Sequence, residues 1–138
     1  LSKKYRIFVI RQTTQIMVKK ILTPLELKVM NVLWRLENAF IKDILSNWDE
    51  QPPPAYNTIS TIVRILADKG FVGYEAHGRT HRYHPIISRE DYQGDFLNNA
   101  LKNVFKGSVS SLVSTLMDNG KVSDKDLADL KRLIGDEA

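Results

Sequence analysis

Val29, Met30, Leu33, Trp34 and Leu36 recur at helical spacing behind Thr23-Pro24-Leu25-Glu26, which predicts a first helix ending near Glu37. Thr23 suits the cap, Pro24 the first helical position, and Glu26 completes a capping box. After the break Asn38-Ala39-Phe40, the spacing of Ile41, Ile44, Leu45 and Trp48 predicts a short second helix with one apolar stripe. The run Asp49 to Pro54, with three consecutive prolines, cannot continue it. A third helix is expected from near Tyr56–Thr58 to Lys69, with Gly70 as its left-handed stop. Ile59, Ile62, Val63 and Leu66 form its buried stripe. Asn57, Thr58, Ser60, Thr61, Arg64 and Asp68 occupy the other side, where an ordinary solvated helix carries Glu and Lys.

The period then changes. Phe71 to Ala76 and Thr80 to His84 flank His77-Gly78-Arg79, the pattern of a β-hairpin with a glycine turn, and Pro85 closes it. Beyond it the chain turns helical again. Ser88 caps a helix with apolar pairs Phe96-Leu97, Ala100-Leu101 and Val104-Phe105. Gly107-Ser108 and Asn119-Gly120 bracket a second helix carrying Val109, Leu112, Val113, Leu116 and Met117. Ser123 with Asp126 caps a third helix bearing Leu127, Leu130, Leu133 and Ile134. Three such short helices cannot close a core by themselves, so their stripes call for a second copy of the chain. Phe96, Leu97, Leu101, Val104, Leu112 and Leu116 are the candidate dimerisation residues. Trp34, Trp48, Phe71, Tyr74 and Met30 are expected in the core.

Three helices followed by a hairpin, with a polar third helix, is the order of a winged helix-turn-helix. The expected fold class is mainly α with a small β-hairpin: a winged helix-turn-helix domain over residues 22–87, then a helical dimerisation domain over 88–138. Residues 1–21 read as a basic leader or arm. It starts with Leu, and Met17 heads Met-Val-Lys-Lys-Ile-Leu, as an added or alternatively started segment would.

Charge changes the picture less than the overall balance suggests. The 138-residue chain has a formal net charge of +4. Residues 1–20 hold six bases and no acid, residues 21–87 are neutral, and residues 88–138 stand at −2. A DNA-binding reading must therefore rest on local placement. The third helix is narrow enough for the major groove, where its amides, hydroxyls and guanidinium can pair with base edges. Asn57, Thr58, Ser60, Thr61 and Arg64 are the candidate base-reading residues, Asn57 serving equally well as a cap. Arg79 at the turn and Arg82 on the following strand are the candidate phosphate contacts. Arg82 alternates with Tyr83, so Tyr83 should pack inward and Arg82 outward.

Other chemistry finds little support. The chain has no Cys, which excludes a disulfide framework and thiolate metal sites and fits a cytoplasmic protein. Neither a membrane-spanning run nor a secretory apolar region is present. Among His77, His81 and His84, the last two should point opposite ways on a hairpin and no carboxylate beyond Glu75 lies close by, so no metal site and no cofactor is expected. No phosphate-binding glycine loop, nucleophile elbow or zinc-protease helix is present, and an enzyme is not expected. The rival reading is a winged-helix protein-interaction module without DNA binding, supported by the neutrality of residues 21–87.

Particular phrases also resemble a known family. Leu22-Thr23-Pro24-Leu25-Glu26 with Val29-Met30 and Trp34, then Asn57-Thr58-Ile59-Ser60-Thr61 with Leu66, Lys69 and Gly70, resemble the penicillinase and methicillin-resistance repressors (BlaI/MecI type). The phrase Gly78-Arg79-Thr80-His81-Arg82-Tyr83-His84-Pro85 is similar to that family's hairpin. The resemblance covers about residues 22–134. It implies a homodimeric transcriptional repressor on a palindromic operator, relieved in the best-known relatives when a membrane sensor of β-lactams triggers proteolysis in the dimerisation domain. A regulatory protease or sensor would then be a partner. The family's scissile Asn-Phe pair falls at Thr115-Leu116 here, the candidate cleavage region, so that pair itself is not retained. The cysteines of the family's copper-responsive branch are absent as well.

Overall fold

The computed structural model describes residues 21–135; most of the basic leader lies outside them. The elements follow the expected order: α1 (Pro24–Leu36), α2 (Ile41–Ser46), α3 (Tyr56–Asp68), β1 (Val72–His77), β2 (Thr80–Pro85), α4 (Arg89–Asn103), α5 (Val109–Asp118) and α6 (Asp124–Gly135). The fold is mainly α with one antiparallel hairpin, a winged helix followed by further helices.

Local chemistry accounts for the helix starts. The capping box at α1 forms in both directions: the Glu26 N–H donates to Thr23 Oγ1 (3.2 Å) and the Thr23 N–H to Glu26 Oε1 (2.8 Å). At α6 the same exchange joins Ser123 and Asp126, at 2.9 and 3.1 Å. The Ser123 N–H, and its hydroxyl beside it, hold the Asp126 carboxyl below its ordinary pKa. Ser88 and Ser108 accept from Asp91 and Ser111 N–H groups to start α4 and α5. At the other end of α3, Gly70 takes φ +84°, which lets the Phe71 N–H reach back to the Leu66 carbonyl.

In the first compact unit α1, α2 and α3 pack around Val29, Met30, Leu33, Ile44, Ile59, Val63 and Leu66, closed by Phe71 and Val72 from the base of the hairpin. The hairpin pairs Val72 with Pro85, Tyr74 with Tyr83 and His77 with Thr80. Its two-residue turn puts Gly78 at φ +64°, a conformation that fits the twist of the flanking strands. A third, one-residue strand joins them: Ala39 and Tyr83 exchange backbone hydrogen bonds of 2.9 and 2.8 Å. This bridge between the α1–α2 connection and the wing has no periodicity by which a sequence pattern could announce it.

Three aromatic side chains stand otherwise than expected. Trp48 is buried but lies beyond α2, which ends at Ser46 once Asn47 turns its side chain onto the Asp43 carbonyl. Tyr74 is 52% exposed and outside the core, because the hairpin projects past the helices and only its base is covered. Trp34 is half-buried; its indole N–H donates to the Ile87 carbonyl at 2.8 Å, and the Arg89 guanidinium lies 5.2 Å from its ring centroid. The two compact units divide between Phe96 and Leu97, inside α4. The first turn of α4 belongs to the winged helix because Tyr92 packs its ring 6.0 Å from both Trp34 and Phe71.

The second unit, residues 97–138, has no buried residue among those whose burial is described. Leu97, Val104, Val109, Leu116, Met117, Leu130 and Leu133 are all exposed, and Leu101 and Leu112 are half-buried. None of the helices among the described residues is long and apolar enough to cross a membrane.

Candidate nucleic-acid interface

Helical periodicity sorts the residues of α3. Ile59, Val63 and Leu66 face inward with no exposure, which turns Asn57, Thr58, Thr61 and Arg64 to solvent, with Ser60 half-covered at the edge. The helix has a single acid, Asp68, in its last turn. Thr61 donates its hydroxyl to the Asn57 carbonyl (3.0 Å), which leaves the oxygen's lone pairs outward. The α3 cap is Ala55, so Asn57 lies inside the helix and does not serve as its cap. The surface offered is about 13 residues long and made of hydroxyls, one amide and one guanidinium, the donor and acceptor types that read base edges.

Charge pairing divides the cations of this unit. Lys28 pairs with Glu50 at 2.6 Å, Arg35 with Asp49 at 3.4 Å, and Lys69 with the buried Glu26 at 2.9 Å. Lys69 therefore ties the end of α3 to the start of α1 and takes no part in an exposed basic surface. Arg64, Arg79 and Arg82 have no carboxylate partner among the described residues. Burial would push the Glu26 carboxyl up, but the Thr23 N–H and the Lys69 ammonium outweigh it and hold the group below its ordinary value.

The two faces of the hairpin separate the candidate wing residues. Tyr74, His81 and Tyr83 share one face, with the rings of Tyr74 and His81 stacked at 4.3 Å. Tyr83 is 8% exposed, and burial raises its phenol above the usual range against the downward pull of Arg64. Tyr56 and Tyr74 also act on that phenol, so this face looks toward α3. Arg82, opposite Glu75, lies on the other face, and Arg79 sits exposed at the turn. The structure thus brings Arg64 to the α3 side of the wing and leaves Arg82 on its far side. His81 and His84 take opposite faces as alternation requires, His81 on Tyr74 and His84 against Gly73, while His77 shares the His84 face and stands 3.8 Å from Glu75. Sequence reading passed over Lys42, whose ammonium stands 5.9 Å from the Phe40 ring centroid. Its one signal was a cation in the short second helix, and nothing local told where that helix points.

Comparison with known proteins points to one family. The penicillinase repressor family matches residues 22–136. The methicillin resistance regulatory protein MecI of Staphylococcus aureus (strain N315) is 24% identical over 109 residues, covering 79% of this chain and 89% of that protein. The penicillinase repressor of Bacillus licheniformis is 24% identical over 109 residues, covering 79% and 85%. The solution structure of the DNA-binding domain of the repressor BlaI is similar at a TM-score of 0.46 and 27% identity, over 51% of this chain and 87% of that one. With the family match running from the first turn before α1 to the end of α6, the chain belongs to the penicillinase repressor family.

Proposed function

We propose that this chain is a sequence-specific DNA-binding transcriptional repressor that acts as a homodimer on a palindromic operator. The observation that carries the reading is the exposed face of α3, with hydroxyls, an amide and an unpaired Arg64 where a solvated helix would hold paired charges. In the major groove, Asn57, Thr58, Ser60, Thr61 and Arg64 supply the base contacts, while Arg79 and Arg82 of the wing position the protein on phosphates. Names borne by relatives, a penicillinase repressor and a methicillin resistance regulatory protein, support repression as the outcome. Dimerisation would cover Phe96, Leu97, Leu101, Val104, Leu112 and Leu116, and two-fold symmetry would set two copies of α3 on two half-sites.

Release by proteolysis at Thr115-Leu116 would have to open α5 first. Thr115 donates its hydroxyl to the Ser111 carbonyl at 2.8 Å, and its own carbonyl accepts from the Asn119 amide at 2.9 Å. A protease or sensor partner would therefore act on an unwound segment.

The test is a fluorescence-anisotropy titration of duplexes tiled across the upstream region of the protein's own gene, near physiological salt, against a scrambled duplex. One tile bound at least about 10³-fold more tightly than the scramble supports the reading. Arg64→Ala should then reduce that ratio. An equal loss on both duplexes would make Arg64 a phosphate contact. Failure to bind any duplex would favour a protein-interaction module.

A further inference from the structure

Between α2, the first turn of α3 and β2 lies an open cavity of about 220 Å³, lined by Phe40, Ile41, Lys42, Tyr56, Thr80 and His81. We propose that this groove seats one sugar–phosphate strand of the duplex, with Lys42 neutralising a phosphate. The inference rests on the DNA-binding reading above and adds to it a site outside α3 and the wing arginines.

Three observations lead there. First, the lining is chemically divided. Phe40, Tyr56 and His81 present ring surface, suited to the C–H faces of a deoxyribose, and Lys42 is the groove's cation. Second, Lys42 is exposed, held near the Phe40 ring and without a carboxylate partner among the described residues, whereas Lys28, Arg35 and Lys69 are each paired off. An exposed ammonium with no carboxylate partner is available to a phosphate, which lysine meets as a point charge. Third, position decides the occupant. If α3 enters the major groove and the hairpin crosses toward its edge, the intervening strand must pass between them, and the cavity occupies that interval. Its volume falls below the roughly 300–1,000 Å³ of small-molecule sites, which disfavours an effector pocket.

The donors are limited and can be assigned. Thr80 gives its hydroxyl hydrogen to the His77 carbonyl (2.9 Å), so it can only accept. The His81 ring is stacked on Tyr74, and His77 meets Phe40 edge-on at 5.5 Å, so the walls are braced from behind. Lys42, with the half-exposed Tyr56 phenol beside it, is left to meet the phosphate.

The experiment uses the full chain and fluorescence anisotropy across a salt series. Lys42→Ala should weaken operator and scrambled duplexes by the same factor, about fivefold at 0.15 M salt for each phosphate no longer neutralised. The slope of log K against log salt should fall by about 0.9 per phosphate. Lys42→Arg should restore both. A duplex carrying one uncharged methylphosphonate at the matching position should cost the wild type the same factor and cost Lys42→Ala nothing further. An unchanged affinity and slope for Lys42→Ala, beside an Arg64→Ala variant that does weaken binding, would overturn the groove assignment and leave the DNA-binding reading intact. A wild type that binds no duplex overturns both. Enhanced emission of a Tyr56→Trp reporter with benzoate but not with duplex would assign the groove to a small aromatic anion and overturn the proposal.

Discussion

The Glu26–Lys69 pair predicts an asymmetry between its two halves. The Glu26 side chain is 4% exposed and the Lys69 side chain 20%, with Nζ 2.9 Å from both carboxylate oxygens. Lys69→Met leaves a buried carboxylate without its cation, and removing one partner of such a pair costs about 3 kcal/mol at neutral pH. Glu26→Gln keeps the bond from the Thr23 N–H, and the freed ammonium, already at the surface, can rehydrate. That variant should lose about 1 kcal/mol, the contribution of a charge-assisted hydrogen bond net of solvation. In a unit of this size each kcal/mol lowers the melting temperature by about 4–8 °C. The sign of the pH dependence follows from the lowered carboxyl. Its contribution is fully present above its ordinary value of 4.5 and is lost as pH falls through the depressed folded value below it. Without Lys69 burial dominates, so the deficit of Lys69→Met should shrink on acidification, and Glu26→Gln should flatten the acid limb. Urea unfolding followed by tryptophan fluorescence measures both, because Trp34 and Trp48 both lie in the first unit. A Glu26→Gln loss as large as that of Lys69→Met, or a deficit that does not change with pH, would refute the reasoning.

Other outcomes follow from single features. Gly70→Ala meets no atom within 4 Å, so its cost should be the left-handed strain alone, about 1 kcal/mol in urea. Trp34→Phe removes the bond to the Ile87 carbonyl and should destabilise the first unit by about 1–2 kcal/mol on thermal circular dichroism. If the proposed homodimer forms through these stripes, Val104→Asp or Leu112→Asp should yield monomers by light scattering and weaken operator binding; a variant that stays dimeric would remove its position from the interface.

The helices were legible because their signals are local. Capping boxes at Thr23–Glu26 and Ser123–Asp126, and stripes such as Ile59-Val63-Leu66, act within one or two turns of chain. The polar face of α3 was legible for the same reason: once its buried stripe is known, the opposite side follows from 3.6 residues per turn. The apolar spacing along α4 to α6 was readable too, and the structure leaves most of those side chains exposed.

What only the tertiary structure decided lies in contacts between distant residues. Lys69 ends α3, and nothing local to it shows that Glu26, 43 residues away, claims its ammonium. Ala39 bridges to Tyr83, and a single bridging residue has no period to detect. Tyr74 shares a strand face with Val72, yet it is exposed because burial along a strand depends on how far the covering helices reach. Lys42 meets Tyr56 and His81 around one groove only after α2 and the wing are folded against α3. Sequence period determines which side of an element is apolar; which residue then stands opposite it is settled by packing, whose energies come from groups the local pattern never brings together.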